Sequence, residues 1–311
     1  MTGKVLVTGG AGFIGSHLVD KLVNSGFDVI VLDNFFSGRH ENLRSHFGKP
    51  NFCLIHGDVR KNADVRKALK DVDGVFHFAA IVSVDLSLKN PTLVTDVNVH
   101  GTLNVLEASL KANVKRIIYA SSCAVYGEPI YLPIDEGHPT RPISHYGVSK
   151  LAAEHYCRVY NKIYGLETVC LRFFNVYGPR QMTGPYGGVI MNFIDKLRRK
   201  ESPIIYNNGR QTRDFIFFVK DVVDACISAM HCKNCVGEVI NVGSGVETPI
   251  YRLVEILNEL LRVHDVKPIY SKAWVWDIDR SCADLRKARK LLHYRPRTSL
   301  SEGLIHCLES K

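Results

Sequence analysis

The sequence predicts an α/β fold: a doubly wound parallel sheet followed by a smaller C-terminal α/β lobe. Three observations predict it. The stretch "KVLVTGGAGFIGSHLVDKLVNSG" (residues 4–26) reads as strand, tight glycine turn and helix. Short apolar runs then recur at 28–34, 51–60 and 74–80, as the strands of a Rossmann-type sheet do. The chain has 311 residues, 46% hydrophobic and 23% charged. That is enough to bury one large domain, or one domain with a smaller lobe.

Residues 4–8 are the first strand. Gly9, Gly12 and Gly15 follow at three-residue spacing, with Phe13 and Ile14 between them. Glycines so spaced let the chain turn sharply, bring the N–H groups of the helix start up to a pyrophosphate, and let helix and strand pack closely. Leu18, Val19, Leu22 and Val23 then repeat at helical spacing. The second strand, "DVIVLDN", ends in Asp33 and Asn34. A carboxylate there accepts hydrogen bonds from ribose hydroxyls and repels a 2′-phosphate, which favours NAD over NADP. Arg39 downstream argues the other way, and a plain turn residue is the ordinary alternative for Asp33. The third strand, "NFCLIHGDVR", ends in Asp58 and Val59, placed to bond an adenine amino group. The fourth, "GVFHFAA", ends in Ala79 and Ala80, small enough to let the backbone approach a cofactor.

"SHYGVSKLAAEHY" (144–156) sets Tyr146 and Lys150 four apart, one turn apart on one helix face. An ammonium beside a phenol stabilises the phenolate, so Lys150 is expected to lower the Tyr146 pKa toward that of a usable base. Alone, the pair is matched by any exposed helix with a chance Tyr and Lys. The glycine turn upstream and the Ser-rich strand end "YASSCAVYG" (119–127) argue against chance.

The formal net charge is +9, but Lys and Arg are spread over expected helix faces such as "KLRRK" (196–200) and "RKARK" (286–290). No nucleic-acid partner is expected; a basic balance suits a nucleotide-diphosphate substrate. No stretch approaches the ~18 unbroken apolar residues of a membrane span, and the first residues carry no secretory-signal pattern. No membrane partner and a cytoplasmic location are expected. Nine cysteines are present. "HCKNC" (231–235) looks like half a metal site, yet no second pair with ligand spacing follows. No metal is expected, and the thiols are expected to be reduced. Cys123 and His77 read as packing residues.

"TGGAGFIG", "SSCAVYG", "YGVSK" and "LRFFNVYGPRQ" together resemble the extended short-chain dehydrogenase/reductase family. The likeness is to its nucleotide-sugar epimerase/dehydratase branch, near the UDP-glucose 4-epimerases, and runs from about Lys4 to about Leu304. It implies residues 1–170 as the NAD-binding part, with segments near 210–245 returning to it, and 171–311 mainly as the nucleotide-sugar lobe. It implies Ser122 on the sugar C4 hydroxyl, Tyr146 as catalytic base, and Lys150 as its partner and a ligand of the nicotinamide ribose. Asn98, in "VNVHGT", is implied to order the cofactor side of the site. A homodimer is implied, built on the helices around Asn98 and Tyr146.

For the UDP-sugar, the resemblance implies Asn175 on the diphosphate, the segment opening with Val189 over the uracil, Arg213 on phosphate and Asp277 on the uridine ribose. Relatives often carry an arginine three residues before that acid or two after it; here Trp274 and Asp279 stand there. Arg280 is the expected substitute, and Trp274 a candidate for stacking. Ser281, four after Asp277, stands where a bulky residue limits sugar size in some relatives, and hints at room for an acetamido group. Dehydratases and uronate decarboxylases of the family typically carry a carboxylate just after the Ser or Thr matched by Ser122. Here Cys123 and Ala124 follow. A 4-keto intermediate can then only be reduced again, which implies 4-epimerisation of a UDP-hexose, an isomerase reaction. UDP-glucuronate 4-epimerase, a 4-reductase or a 4,6-dehydratase are the alternatives. A non-catalytic NAD sensor would be expected to lack Tyr146 or Lys150.

Overall fold

The computed structural model describes residues 3–184, 187–217, 219–272 and 277–309. Trp274 lies outside them. The first half alternates strand and helix: β1 (Lys4–Thr8), α1 (Phe13–Asn24), β2 (Asp28–Asp33), β3 (Phe52–His56), α2 (Asn62–Ala68), β4 (Gly74–His77), α3 (Val84–Lys89), α4 (Pro91–Thr95), α5 (Gly101–Lys111), β5 (Arg116–Ser122), α6 (His145–Tyr164) and β6 (Glu167–Phe173). Next come β7 (Asn175–Tyr177), α7 (Val189–Arg198), β8 (Ile204–Tyr206), β9 (Thr212–Phe217), α8 (Val219–His231) and β10 (Val239–Val242). Last are β11 (Glu247–Pro249), α9 (Ile250–Leu261), β12 (Ile269–Ser271), α10 (Arg286–Leu292) and α11 (Leu300–Glu309).

Seven strands form one sheet in the order β3-β2-β1-β4-β5-β6-β10, every neighbouring pair parallel. Such a sheet is covered on both faces, so its strands carry apolar runs; β5 is buried along its whole length, Arg116, Ser121 and Ser122 included. One face packs Leu18 and Leu22 of α1 with Val222 and Cys226 of α8 and Leu292 of α10. The other packs Val65 of α2, Val105 and Leu106 of α5, and Ala153 and Cys157 of α6. A third apolar cluster, around Phe193, Ile205, Phe215, Leu253 and Leu257, lies among α7, β8, β9 and α9. There the strands are short, in a three-stranded sheet β11-β9-β7 and a pair β12-β8.

Strand order reverses between β1 and β4, and the crevice at such a switch point is where α/β sheets bind ligands. β6 runs through position 170 to Phe173, and β10, within the segment near 210–245, pairs beside it. One expectation changes. The thiols are not all reduced: Cys232 and Cys235 form a disulfide. The short turn Lys233–Cys235 after α8 leaves their Cα atoms 5.5 Å apart, within disulfide reach.

Candidate active site

A cleft of about 370 Å3 opens over the C-terminal strand ends. Gly9 takes φ +69°, and a Cβ there would sit 2.7 Å from the Ala79 nitrogen. A Cβ at Gly15 would come 2.2 Å from the Gly9 carbonyl oxygen. Neither position tolerates a side chain. Gly12 caps α1, and Phe13 and Ile14 of its first turn line the cleft; the N–H groups of a first helical turn lack intrahelical partners and favour an anion. Asp33 closes β2, with Oδ2 accepting from the Ala11 N–H at 2.9 Å and Oδ1 from Phe35 at 2.8 Å. Burial raises its pKa, and those two amides oppose the rise. The held carboxylate still lines the cleft with Asn34, Val59, Ala79 and Ala80. These residues fit a dinucleotide: a cradle with no room for a Cβ, and an acid at the ribose end.

Asp58 does not line the cleft. Its carboxylate accepts from the Arg60 guanidinium at 2.7 Å and from the Asn34 amide at 3.1 Å. The Arg60 bonds, chiefly, hold its pKa down to about 2. The structure puts Arg60 itself on the cleft wall. Asn98 is buried, and both ends of its amide are used: it accepts from the Ile81 N–H and donates to the Ile81 carbonyl and Ser149 Oγ. It ties the loop after β4 to α6 and does not reach the cleft. His77 is buried between the Thr8 and Thr102 hydroxyls, and burial drops its pKa to about 3. It is a neutral packing residue.

At the other end stand Ser122, Tyr146 and Lys150. Ser122 ends β5 and accepts from the Ala124 N–H at 3.2 Å. Tyr146 lies in the first turn of α6, whose N-cap Ser144 accepts from the Gly147 N–H, a standard helix start. Lys150 Nζ donates to the Ala120 carbonyl at 2.8 Å and lies 5.0 Å from the Tyr119 ring centre. The expected electrostatics are reversed here. Burial pushes the Tyr146 phenol up to about 12, against the pull of its Ser122 hydrogen bond, and pushes Lys150 down to about 7. The ammonium is directed at a backbone carbonyl, and taking either group from water penalises its charged form. Cys123 is pushed up to about 12 by burial, the state of an unreactive thiol.

The substrate-side residues are brought together only in part. Asn175 opens β7 and donates to the Asp214 carbonyl. Val189 opens α7 behind the N-cap Gly188. Arg213 ion-pairs with Asp277 and donates to the Ile278 carbonyl at 2.9 Å. Arg280 donates to the Glu247 carboxylate at 2.6 Å and is 59% exposed. Ser281 is buried and is not among the residues lining this cleft. Sequence reasoning missed Asp214, which accepts from the N–H groups of Ser244, Gly245 and Ala283 and fixes the turns around Arg213. It also missed Phe173, Phe174, Gln181 and Met182 on the cleft wall. "LRFFNVYGPRQ" carried three of them; Met182 follows it with no signal of its own.

A glycine cradle leading to a serine, a phenol and a lysine is the arrangement of a short-chain dehydrogenase/reductase enzyme. Similarity to known proteins narrows this. Residues 5–243 match the NAD dependent epimerase/dehydratase family, and the chain belongs to that family, whose cofactor is NAD. The chain is 43% identical over 302 residues to a Methanocaldococcus jannaschii protein provisionally named a UDP-glucose 4-epimerase, covering 96% of this chain and 95% of that one. It is 36% identical to UDP-glucuronic acid decarboxylase 1 of Arabidopsis thaliana, over 97% of this chain and 68% of that one. The solved UDP-glucose 4-epimerase of Thermotoga maritima with UDP-glucose superposes with a TM-score of 0.93 at 37% identity, covering 98% of this chain and 97% of that one.

Proposed function

We propose that this chain is an NAD-dependent UDP-hexose 4-epimerase of the UDP-glucose/UDP-galactose type. One observation carries the reading. Among the described residues that line the cleft, the one carboxylate is Asp33, three strands from Ser122 in the order β2-β1-β4-β5. At the strand spacing of a sheet that is roughly 14 Å. The sugar end offers a hydroxyl, a phenol and an ammonium, and no acid that could protonate a leaving group or draw a proton from C5. UDP-glucuronate decarboxylases and 4,6-dehydratases are relatives whose chemistry is poorly served by this wall.

Bound NAD supplies a hydride acceptor that also returns the hydride, and a positive charge when oxidised. Ser122 Oγ holds the C4 hydroxyl, and Tyr146 Oη takes its proton, then gives it back after the sugar has turned. With burial keeping the phenol near 12 in the free chain, the phenolate belongs to the loaded cleft, where added positive charge favours it. Lys150, protonated below about 7 in the free chain, holds the nicotinamide ribose. Asn175, Val189, Arg213 and Asp277 hold the UDP, which requires the diphosphate to take Arg213 from Asp277. Residues near 1–170 with the α8 and β10 return hold the cofactor; the remainder holds the nucleotide sugar. Two copies pair through α6, whose outer face exposes Val148, Tyr156, Val159 and Ile163 at helical spacing.

The test is the purified protein with no cofactor added, followed by NMR with UDP-glucose, UDP-N-acetylglucosamine and UDP-glucuronate. The expected product is UDP-galactose, with NAD released on denaturation. A 4-keto-6-deoxy sugar, a pentose product or a need for added NADPH would refute the proposal.

A further inference from the structure

Behind the strand ends of the cleft lies a buried polar row. Ser121, Arg172 and Asn241 are register partners across β5, β6 and β10. Glu154 comes down onto them from α6, one turn beyond Lys150 and two beyond Tyr146. Its Oε2 accepts from Ser121 Oγ at 2.8 Å and from Arg172 Nε at 3.0 Å, and Oε1 accepts from the other arm of the guanidinium at 2.5 Å. The guanidinium lies 4.7 Å from the Tyr126 ring centre. The Tyr126 hydroxyl donates to Asn241 Oδ1 at 2.7 Å. Glu154 and Arg172 are each only 4% exposed.

A buried ion pair is weak evidence of stability, because apolar residues of like volume often serve as well or better. What apolar residues lack is direction. A bidentate guanidinium and carboxylate fix distance and rotation together. Here the carboxylate belongs to the helix carrying Tyr146 and Lys150, the guanidinium to the strand beside β5, and the shared hydroxyl to the residue just before Ser122.

We propose that Glu154 and Arg172 are positioning residues that lock the register of α6 against β5, holding Tyr146 and Lys150 at a fixed distance from Ser122. This rests on the catalytic reading of those three residues. A displacement of about 1 Å costs on the order of 100-fold in rate, so loosening the lock should appear in kcat before it appears in binding.

The test compares the holoenzyme with Glu154→Asp, which keeps the charge and withdraws it by one methylene, and with the paired change Glu154→Leu with Arg172→Met, which leaves no orphaned charge. Bound NAD, KM and kcat are measured for each, with single-turnover reduction of bound NAD on adding UDP-sugar. Both should keep bound NAD and hold KM within about threefold, while kcat and the single-turnover rate fall about 10- to 100-fold. Wild-type rates in either variant would overturn the proposal, as would equal losses of NAD and of turnover. A wild-type protein that inverts no C4 centre refutes the epimerase reading instead. The lock is then judged on the single-turnover oxidation alone.

Discussion

Lys150 is buried in the cleft wall at a thermodynamic cost, and replacing it separates that cost from its proposed part in the chemistry. The ammonium is buried, and its pKa falls from 10.5 to about 7, a difference that corresponds to about 5 kcal/mol of folding free energy. In Lys150→Met the burial penalty disappears, while the bond to the Ala120 carbonyl is lost at about 1–2 kcal/mol. The net expectation is a gain on the order of 3 kcal/mol. The sign follows from proton binding. Between about 7 and 10.5 the unfolded chain holds the lysine proton and the folded one does not, so stability of the parent rises with pH across that window. At and below about 7 the penalty is complete. The advantage of Lys150→Met is therefore largest near neutrality and shrinks toward high pH. Urea unfolding of NAD-free parent and variant, at about pH 6.5 and about pH 9.5, reads both midpoints. A variant less stable than the parent at the lower pH would refute the reasoning, and so would an advantage that grows with pH. The stabilised variant should be nearly inactive, the trade expected when a strained group is a working one.

Three further outcomes follow from the site. Tyr146→Phe should keep bound NAD and lose about 100- to 10,000-fold in kcat; activity within tenfold of the parent, in the same NMR assay, removes the proposed base. Arg213→Met should raise KM for the UDP-sugar at least about tenfold, as loss of a charge-assisted diphosphate contact does, while Arg280→Met, already tied to Glu247, should leave it within about twofold; steady-state kinetics showing the reverse order would exchange the two roles. Val159→Arg with Ile163→Glu on the exposed face of α6 should yield monomers by analytical ultracentrifugation, and a dimer that survives both charges must use another surface.

Much of the sheet was legible because a parallel strand buried on both faces has few sequences available to it. "KVLVT" and "DVIVLD" read as strands for the reason they are buried. The glycine turn was legible because the backbone there leaves no volume for a Cβ, a constraint that only one residue type meets. The Tyr146 and Lys150 spacing was legible for the same kind of reason, as one turn of helix. Side-chain partners were not legible. Arg280 pairs with Glu247, 33 residues away in sequence. Asp58 accepts from Arg60 and Asn34, partners that no spacing in the sequence announces. The sign of the Tyr146 shift failed for a related reason: spacing along a helix says which groups are near, but burial decides their charge. Cys232 and Cys235 were judged by compartment, whereas the turn between them decided the pairing.

The return of the chain to the sheet has a consequence for how the protein can come into being. β10 covers the edge of β6, and α8 seals the face of α1, yet both are made after β7, α7, β8 and β9. A nascent chain that has emerged only through β6 therefore presents a bare strand edge, with its N–H and C=O groups unpaired and open to another chain. It also lacks α8, which packs against α1. The residues through β6 cannot complete the seven-stranded sheet by themselves. The sheet closes only when residues 239–242 arrive, so β7, α7, β8 and β9 are all made before it is complete.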